Sequence, residues 1–319
     1  MRSMFTRGMT SFIAASAVAA AALLTAGPAQ ASFPGGNGEI LFEREQTLYT
    51  IQPGGPVNSE RKLVKLGRTN SGLEYSPDGK TIALTADLGA GKSFQIVKIV
   101  KNKKKRKKGK PKPPPYKAIQ VTDPRKCLGT SSPSWSPDGK TLAFVCNDQG
   151  FPLSYEVYTV GADGRGLRQI TDLNEVEFVK WNPADPNEIA FVHDQYLYTV
   201  PASGGTPTLL NGNPPGITGK RWFSFDYSPN GAQIVVESGE GNLHLMDSTT
   251  GVFGPSLISG GFDAQVEPAF SPDGTQIAYV NAGSSVHDIY TVPVTGAAAG
   301  TPLTQTSVAE RHPTWRPLP

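Results

Sequence analysis

An aromatic residue stands two places before a proline at six points along the chain: Tyr75 before Pro77, Trp135 before Pro137, Trp181 before Pro183, Tyr227 before Pro229, Phe270 before Pro272 and Trp315 before Pro317. The intervals between these aromatics are 60, 46, 46, 43 and 45 residues. A period of that size with a turn signal in each copy marks a stacked array of small sheets, because one such unit cannot cover both of its faces and borrows cover from its neighbours. The long first interval carries an insertion.

The clearest copy reads PSWSPDGKTLAFVCNDQGFPLSYEVYTVGADGRGLRQITD, from Pro133 to Asp172. In its turn Pro137 presets φ, Asp138 accepts local backbone donors and Gly139 takes the positive φ of a type I turn with a bulge. The same S-P-[DN]-G pattern recurs at 76–79, 228–231 and 271–274, with a degenerate NPADPN at 182–187. Each turn launches a second apolar strand (TIALT, TLAFV, EIAFV, QIVVE, QIAYV). Third strands such as EVYTV and fourth strands such as LRQITD follow. Four strands per copy make a propeller blade.

The chain ends agree with this reading. The last copy, HPTWRPLP, supplies a first strand with no second, while GGNGEILFE near the start supplies a second with no first. Pairing them closes the ring and removes an exposed sheet edge. The expected fold is therefore all-β: a six-bladed β-propeller of four-stranded antiparallel blades, closed by N-terminal strands pairing with the C-terminal one. The 35 Gly and 28 Pro, with no helical periodicity, fit that class.

The segments PSWSPDGKTLAFV and EPAFSPDGTQIAYV resemble the WD40-like (PD40) repeats of TolB-type propellers. The resemblance extends over the chain from Ser32 onward and implies a six-bladed ring. Between Ser32 and the first blade there is no room for the N-terminal α/β domain that TolB carries.

Residues 1–31 read as a signal peptide. Arg2 and Arg7 are followed by an Ala/Leu/Val-rich stretch from Ser11 to Gly27 and by Ala29-Gln30-Ala31, which fits the small-residue cleavage rule. The alternative is an uncleaved anchor. A propeller domain over 32–319, exported to the periplasm, the cell wall or the medium of a bacterium, is the expectation. Net charge is +3; without Arg2 and Arg7 it is 3 − 2 = +1, and without the nine Lys/Arg of residues 101–112 it is 1 − 9 = −8. The body is acidic and carries one basic patch.

That patch, KNKKKRKKGKPKPPPYK, interrupts blade two between its third and fourth strands. Like charges and three consecutive prolines predict a disordered insertion over 101–115. Lys103, Lys104, Lys105, Arg106, Lys107 and Lys108 are candidates for adhesion to an anionic cell-wall polymer or membrane surface, at about 1 kcal/mol per charge beside an anionic membrane. No aromatic residues interleave with the lysines, and nucleic acid is not expected. Cys127 and Cys146, the only cysteines, fall close together on paired strands, and export predicts a disulfide of about 3 kcal/mol. Two buried free thiols are the alternative.

Chain direction puts every S-P-D-G turn on one face, called face two here. The lead-ins to the innermost strands lie on the opposite face one, around the channel mouth, where binding residues on loops are expected. These lead-ins offer Glu175, Glu177, Arg221, Trp222, Glu267, Glu310, Arg311 and His312 as candidate ligand-binding residues for a protein, peptide or polar polymer; an ordinary solvated rim is the alternative. Neither H-x-H nor H-E-x-x-H occurs, and His193, His244, His287 and His312 do not converge in this register, so neither metal nor cofactor is expected. G-x-S-x-G, a P-loop and dinucleotide glycines are absent, and no room for a hydrolase domain is expected after Trp315. A monomeric, non-catalytic binding or scaffolding propeller is therefore favoured. The rival is a polysaccharide lyase or glycoside-acting propeller using Glu177, Glu267 or His312 at the mouth.

Overall fold

A computed structural model describes residues 33–87, 94–104, 114–148, 154–211, 224–238, 241–258, 264–283 and 286–319. The expected signal peptide, Arg221, Trp222 and residues 105–113 of the basic insertion lie outside the described residues.

All the regular structure described is β. Chain order opens with β1 (Gly36–Arg44), β2 (Thr47–Ile51) and β3 (Arg61–Lys65). Blade two is β4 (Arg68–Tyr75), β5 (Thr81–Asp87), β6 (Gln95–Lys101) and β7 (Tyr116–Gln120). Blade three is β8 (Gly129–Trp135), β9 (Thr141–Asn147), β10 (Tyr155–Gly161) and β11 (Arg168–Gln169). Blade four is β12 (Val176–Trp181), β13 (Glu188–His193), β14 (Tyr196–Pro201) and β15 (Thr208–Asn211). Blade five is β16 (Phe225–Tyr227), β17 (Gln233–Glu237), β18 (Leu243–Asp247) and β19 (Phe253–Ser256). Blade six is β20 (Ala264–Phe270), β21 (Gln276–Ala282), β22 (His287–Pro293) and β23 (Thr301–Pro302), and β24 (Glu310–Leu318) ends the chain. The six sheets each have four strands, and the first has the order β24-β1-β2-β3. The expected six blades and their closure are both present.

Each second strand is buried on both faces, which is why it reads as an unbroken apolar run. In β9, Leu142, Phe144 and Cys146 pack toward blade two, whereas Ala143 and Val145 pack toward blade four. Six hydrophobic clusters result, one at each contact between neighbouring blades, and each holds one of the six marked aromatics. The S-P-D-G turns share one geometry. In blade three the Ser136 hydroxyl donates to Asp138 Oδ1 at 2.7 Å and accepts from the Thr141 N–H at 3.0 Å. The Ser136 bond, joined by one from the Lys140 N–H, holds the Asp138 carboxyl below its ordinary pKa. At the matching turn of blade two Gly79 has φ 63°, and a Cβ there would sit 2.3 Å from the Pro317 carbonyl oxygen, so this turn also fixes how closely blades one and two approach.

The ring closes through β24 running antiparallel to β1, with Ile40 opposite Trp315 and Arg44 opposite Glu310. Innermost strands touch in the cycle β24, β4, β8, β12, β16, β20 and back to β24. Cys127, two residues before β8, and Cys146, in β9, are joined by a disulfide across Cα atoms 5.6 Å apart.

Candidate functional site

The innermost strands are irregular where they enter from face one. In β4, β8, β20 and β24 the register shifts three or so residues ahead of the marked aromatic, and Gly72, Ser132, Glu267 and His312 take positive φ there, 49–61°. In β12 the extra residue is Glu177. A bulge re-aims side chains and ends regular pairing, and non-glycine residues held in this region store strain that the surrounding fold must impose. Glu177, Glu267 and His312 therefore stand on a repeated backbone device at the mouth.

Three of the sequence candidates meet. Glu267 Oε2 accepts the His312 N–H at 2.5 Å and lies 3.3 Å from His312 Nδ1, while Glu267 Oε1 is 3.9 Å from the Arg311 guanidinium. Glu175 and Glu177 are exposed on blade four. Glu310, expected on the rim, is fully buried instead: its carboxylate bonds the Arg44 guanidinium and the Thr304 hydroxyl, so it seats the closing strand and offers nothing to a ligand. Glu237, which the sequence reading passed over, is also at this end, accepting from the Ser224 hydroxyl and from the Glu267 N–H at 3.1 Å. The carboxylates of Glu237, Glu267 and Glu310 are thus engaged within the chain. Among the described residues no three His, Cys, Asp or Glu side chains cluster as a metal site.

A threonine latch braces the same face. Thr122 and Thr171, at the ends of two fourth strands, accept the N–H of Ile96 and Val157 at 2.9 Å and donate to Gln95 and Glu156. Glu156 Oε1 in turn accepts from the N–H groups of Leu173 and Asn174 at 2.8 and 2.5 Å, which orients the lead-in carrying Glu175 and Glu177. The signal was in the sequence as the repeated V/I-T-D that ends those strands.

Below the mouth a charged cluster joins side chains from three blades. Of the residues one place before each marked aromatic, three of the six are charged: Glu74, Lys180 and Asp226. Lys180 Nζ lies 2.7 Å from Glu74 Oε2 and 3.3 Å from Asp226 Oδ1. Glu74 Oε1 also accepts from the Trp135 N–H at 2.8 Å, and Asp226 Oδ2 from the Phe270 N–H at 2.9 Å. Burial pulls the Lys180 pKa down, but Asp226 and Glu74 outweigh it and hold the ammonium above its ordinary value. Burial likewise pushes Glu74 up, beyond what Lys180 restores. Both shifts favour a bound proton, as expected where two carboxylates share one cation. Toward face two, Phe33 seals the axis against Tyr75, Phe270 and Trp315 around a void of about 10 Å³, room for no more than a single water.

The buried acids set a pH response. Glu74, Glu237 and Glu310 all have raised pKa values, burial being the largest cause in each. The folded state binds these protons more tightly than the unfolded chain does. Their contribution is therefore fully present below the unfolded value of 4.5 and is lost as pH rises through the folded values. Asp138, with a lowered pKa, acts oppositely and gives up stability only below 3.8. The urea midpoint is expected to rise as pH is lowered from about 7 to about 5, and E237Q with E310Q should flatten that rise. A midpoint that falls steadily over the same range would contradict it.

Known proteins resemble the chain in this architecture. A TolB homologue of Chlorobium chlorochromatii is 26% identical over 152 residues, 45% of this chain and 32% of that protein, so the match spans about a third of the curated relative. The crystal structure of TolB from Acinetobacter baumannii superposes with a TM-score of 0.65 at 18% identity, covering 88% of this chain and 67% of that one. A chain of a nidogen/laminin complex gives a TM-score of 0.64 at 9% identity, covering 87% of this chain and 98% of that one. At such identities these structures speak for the fold. Residues 122–319 match the family model described as the TolB beta propeller domain (PD40), and with more than half its length so matched, the chain belongs to that family.

Proposed function

We propose that this propeller is an exported, monomeric binding module that holds a protein or peptide segment on its face-one mouth. The observation that carries the reading is the bulge repeated in the innermost strands where they enter from face one. Bulged lead-ins present Glu177, Glu267 and His312 above the Glu74–Lys180–Asp226 cluster. A partner seated there meets polar side chains carried by more than one blade, which suits an extended segment that touches several of them at once. Engagement of Glu237 and Glu267 in internal hydrogen bonds weighs against acid–base chemistry at the same place. Export is supported by the charged start, apolar stretch and Ala-x-Ala of residues 1–31.

The test is site-specific photo-crosslinking in the producing cell, with a photoreactive residue at position 177 or 311 and, as controls, at the outer-edge positions 249 and 252. Discrete protein adducts are expected from the mouth positions only. The triple variant E175A/E177A/R311A should weaken capture about tenfold, equivalent to about 1.4 kcal/mol. Adducts of equal yield from the outer edge, or none from the mouth, would overturn the assignment.

A further inference from the structure

Three grooves at blade contacts are described on the face-two side, and one of them differs from the other two in charge. Between blades four and five the groove is lined by Asp185 and Glu188 with no cation, and between blades five and six its only charged residue is Asp247. The groove between blades one and two encloses about 680 Å³ and carries five cations against two carboxylates. Arg61 and Arg316 come from blade one, while Lys80, Lys101 and Lys103 come from blade two. The cations therefore face one another across a recess. We propose that this groove is a second binding site, on the face opposite the mouth, for an acidic extended peptide segment of a partner protein.

Glu39 organises one wall. It lies 2.7 Å from the Arg61 guanidinium and 3.7 Å from that of Arg316, and Arg316 Nε also donates to the Gly79 carbonyl at 3.0 Å. One carboxylate between two guanidiniums leaves a net positive wall with its donors fixed in place, the arrangement that suits bidentate capture of carboxylates. The opposite wall is held by strand pairing: Lys101 pairs with Tyr116, and the Asn102 N–H donates to the Pro115 carbonyl at 2.8 Å, so Lys101 and Lys103 are presented at the rim by a closed hairpin stem. Lys80 has only an exposed pairing with Asp78 at 3.3 Å, which adds little energy and yields readily to a ligand.

The floor decides the class of polyanion. Ile82, Ile99 and Tyr116 from blade two meet Leu63 from blade one there. A bilayer surface is flat and would reach the exposed ends of Arg61 and Lys80 without filling the recess. A peptide of alternating acidic and apolar residues places carboxylates on both rims and apolar side chains on this floor, and the acidic body of the chain outside this region disfavours its binding elsewhere.

The test titrates the chain from Ser32 with a fluorescein-labelled twelve-residue peptide alternating Glu and Leu, read by anisotropy. Saturable binding that weakens with salt is expected, with at least a tenfold loss in R61Q/K101Q/K103Q and little change in a charge-matched control, K65Q/K126Q/R165Q. Phosphatidylglycerol vesicles are the second probe. Vesicle binding that depends on the three groove cations, with no peptide binding, would assign the surface to a membrane and overturn the proposal. A third variant replaces the Lys and Arg of residues 105–112 by serine. Peptide binding lost there and kept in the groove variant would place the site on that run and equally overturn it.

Discussion

Replacing Lys180 by methionine is expected to cost about 3 to 5 kcal/mol of folding stability, because it removes the one cation from between two buried carboxylates. Glu74 and Asp226 are 4% and 2% exposed, and neither can turn to water without breaking its bond to the Trp135 or Phe270 N–H. The comparison that isolates the charge effect is the triple variant E74Q/K180M/D226N. Its amide oxygens still accept the same backbone N–H groups, no member of the cluster is ionised, and a midpoint near that of the unaltered protein is expected. Urea unfolding at about pH 7 measures both. In K180M alone, the folded-state pKa of Glu74 should rise further, so part of the loss is recovered as the pH falls toward 4.5, the opposite of ordinary acid denaturation. A single variant that unfolds like the unaltered protein would show that the cluster is solvated and that the axis is open.

That cluster also shows what kind of information the repeat carried. The aromatic-x-proline marks have a cause that repeats in every blade, one large ring at each blade contact, joined in four of them by a serine-anchored turn, and so the six blades and even the seam at Trp315 could be read from spacing. The residue one place earlier shares the register but not the identity: Glu74, Ser134, Lys180, Asp226, Ala269 and Thr314. Lys180 is bonded to Glu74 two blades away, and only the closing of the ring brings the two within 2.7 Å. Glu310 was legible as a lead-in residue, but its burial depends on Arg44, 266 positions earlier in the chain, with which it forms an ion pair across the seam. Positions whose environment is set within one blade were legible; those set by contacts across the axis or the seam were not. The basic groove belongs to the second kind, since its walls come from opposite sides of the contact between the closing blade and blade two.

The seam itself should be the most sensitive place in the molecule. Every other blade is continuous in the chain, whereas blade one is held together by hydrogen bonds between β24 and β1 and by the packing of Trp315 on Ile40 and Phe42. Trp315 is 4% exposed and its Nε1 donates to the Ala269 carbonyl at 3.1 Å, so W315A removes core volume together with that hydrogen bond. A loss of about 3 to 5 kcal/mol is expected from the truncation. Removing residues 308–319 goes further. It strips the inner strand from blade one, exposes the edge of β1 and leaves Arg44 without Glu310, and the expected product has no cooperative thermal transition and self-associates through that edge. Adding a synthetic peptide of residues 308–319 in trans should restore a cooperative melt, because the seam is non-covalent and the peptide's register is dictated by Arg44–Glu310 at one end and Gly36–Leu318 at the other. Calorimetry and sedimentation velocity measure both outcomes. A truncated chain that stays monomeric and melts at the original temperature without the peptide would mean that the ring is not closed by β24, and the blade order derived from the six aromatic marks would have to be abandoned.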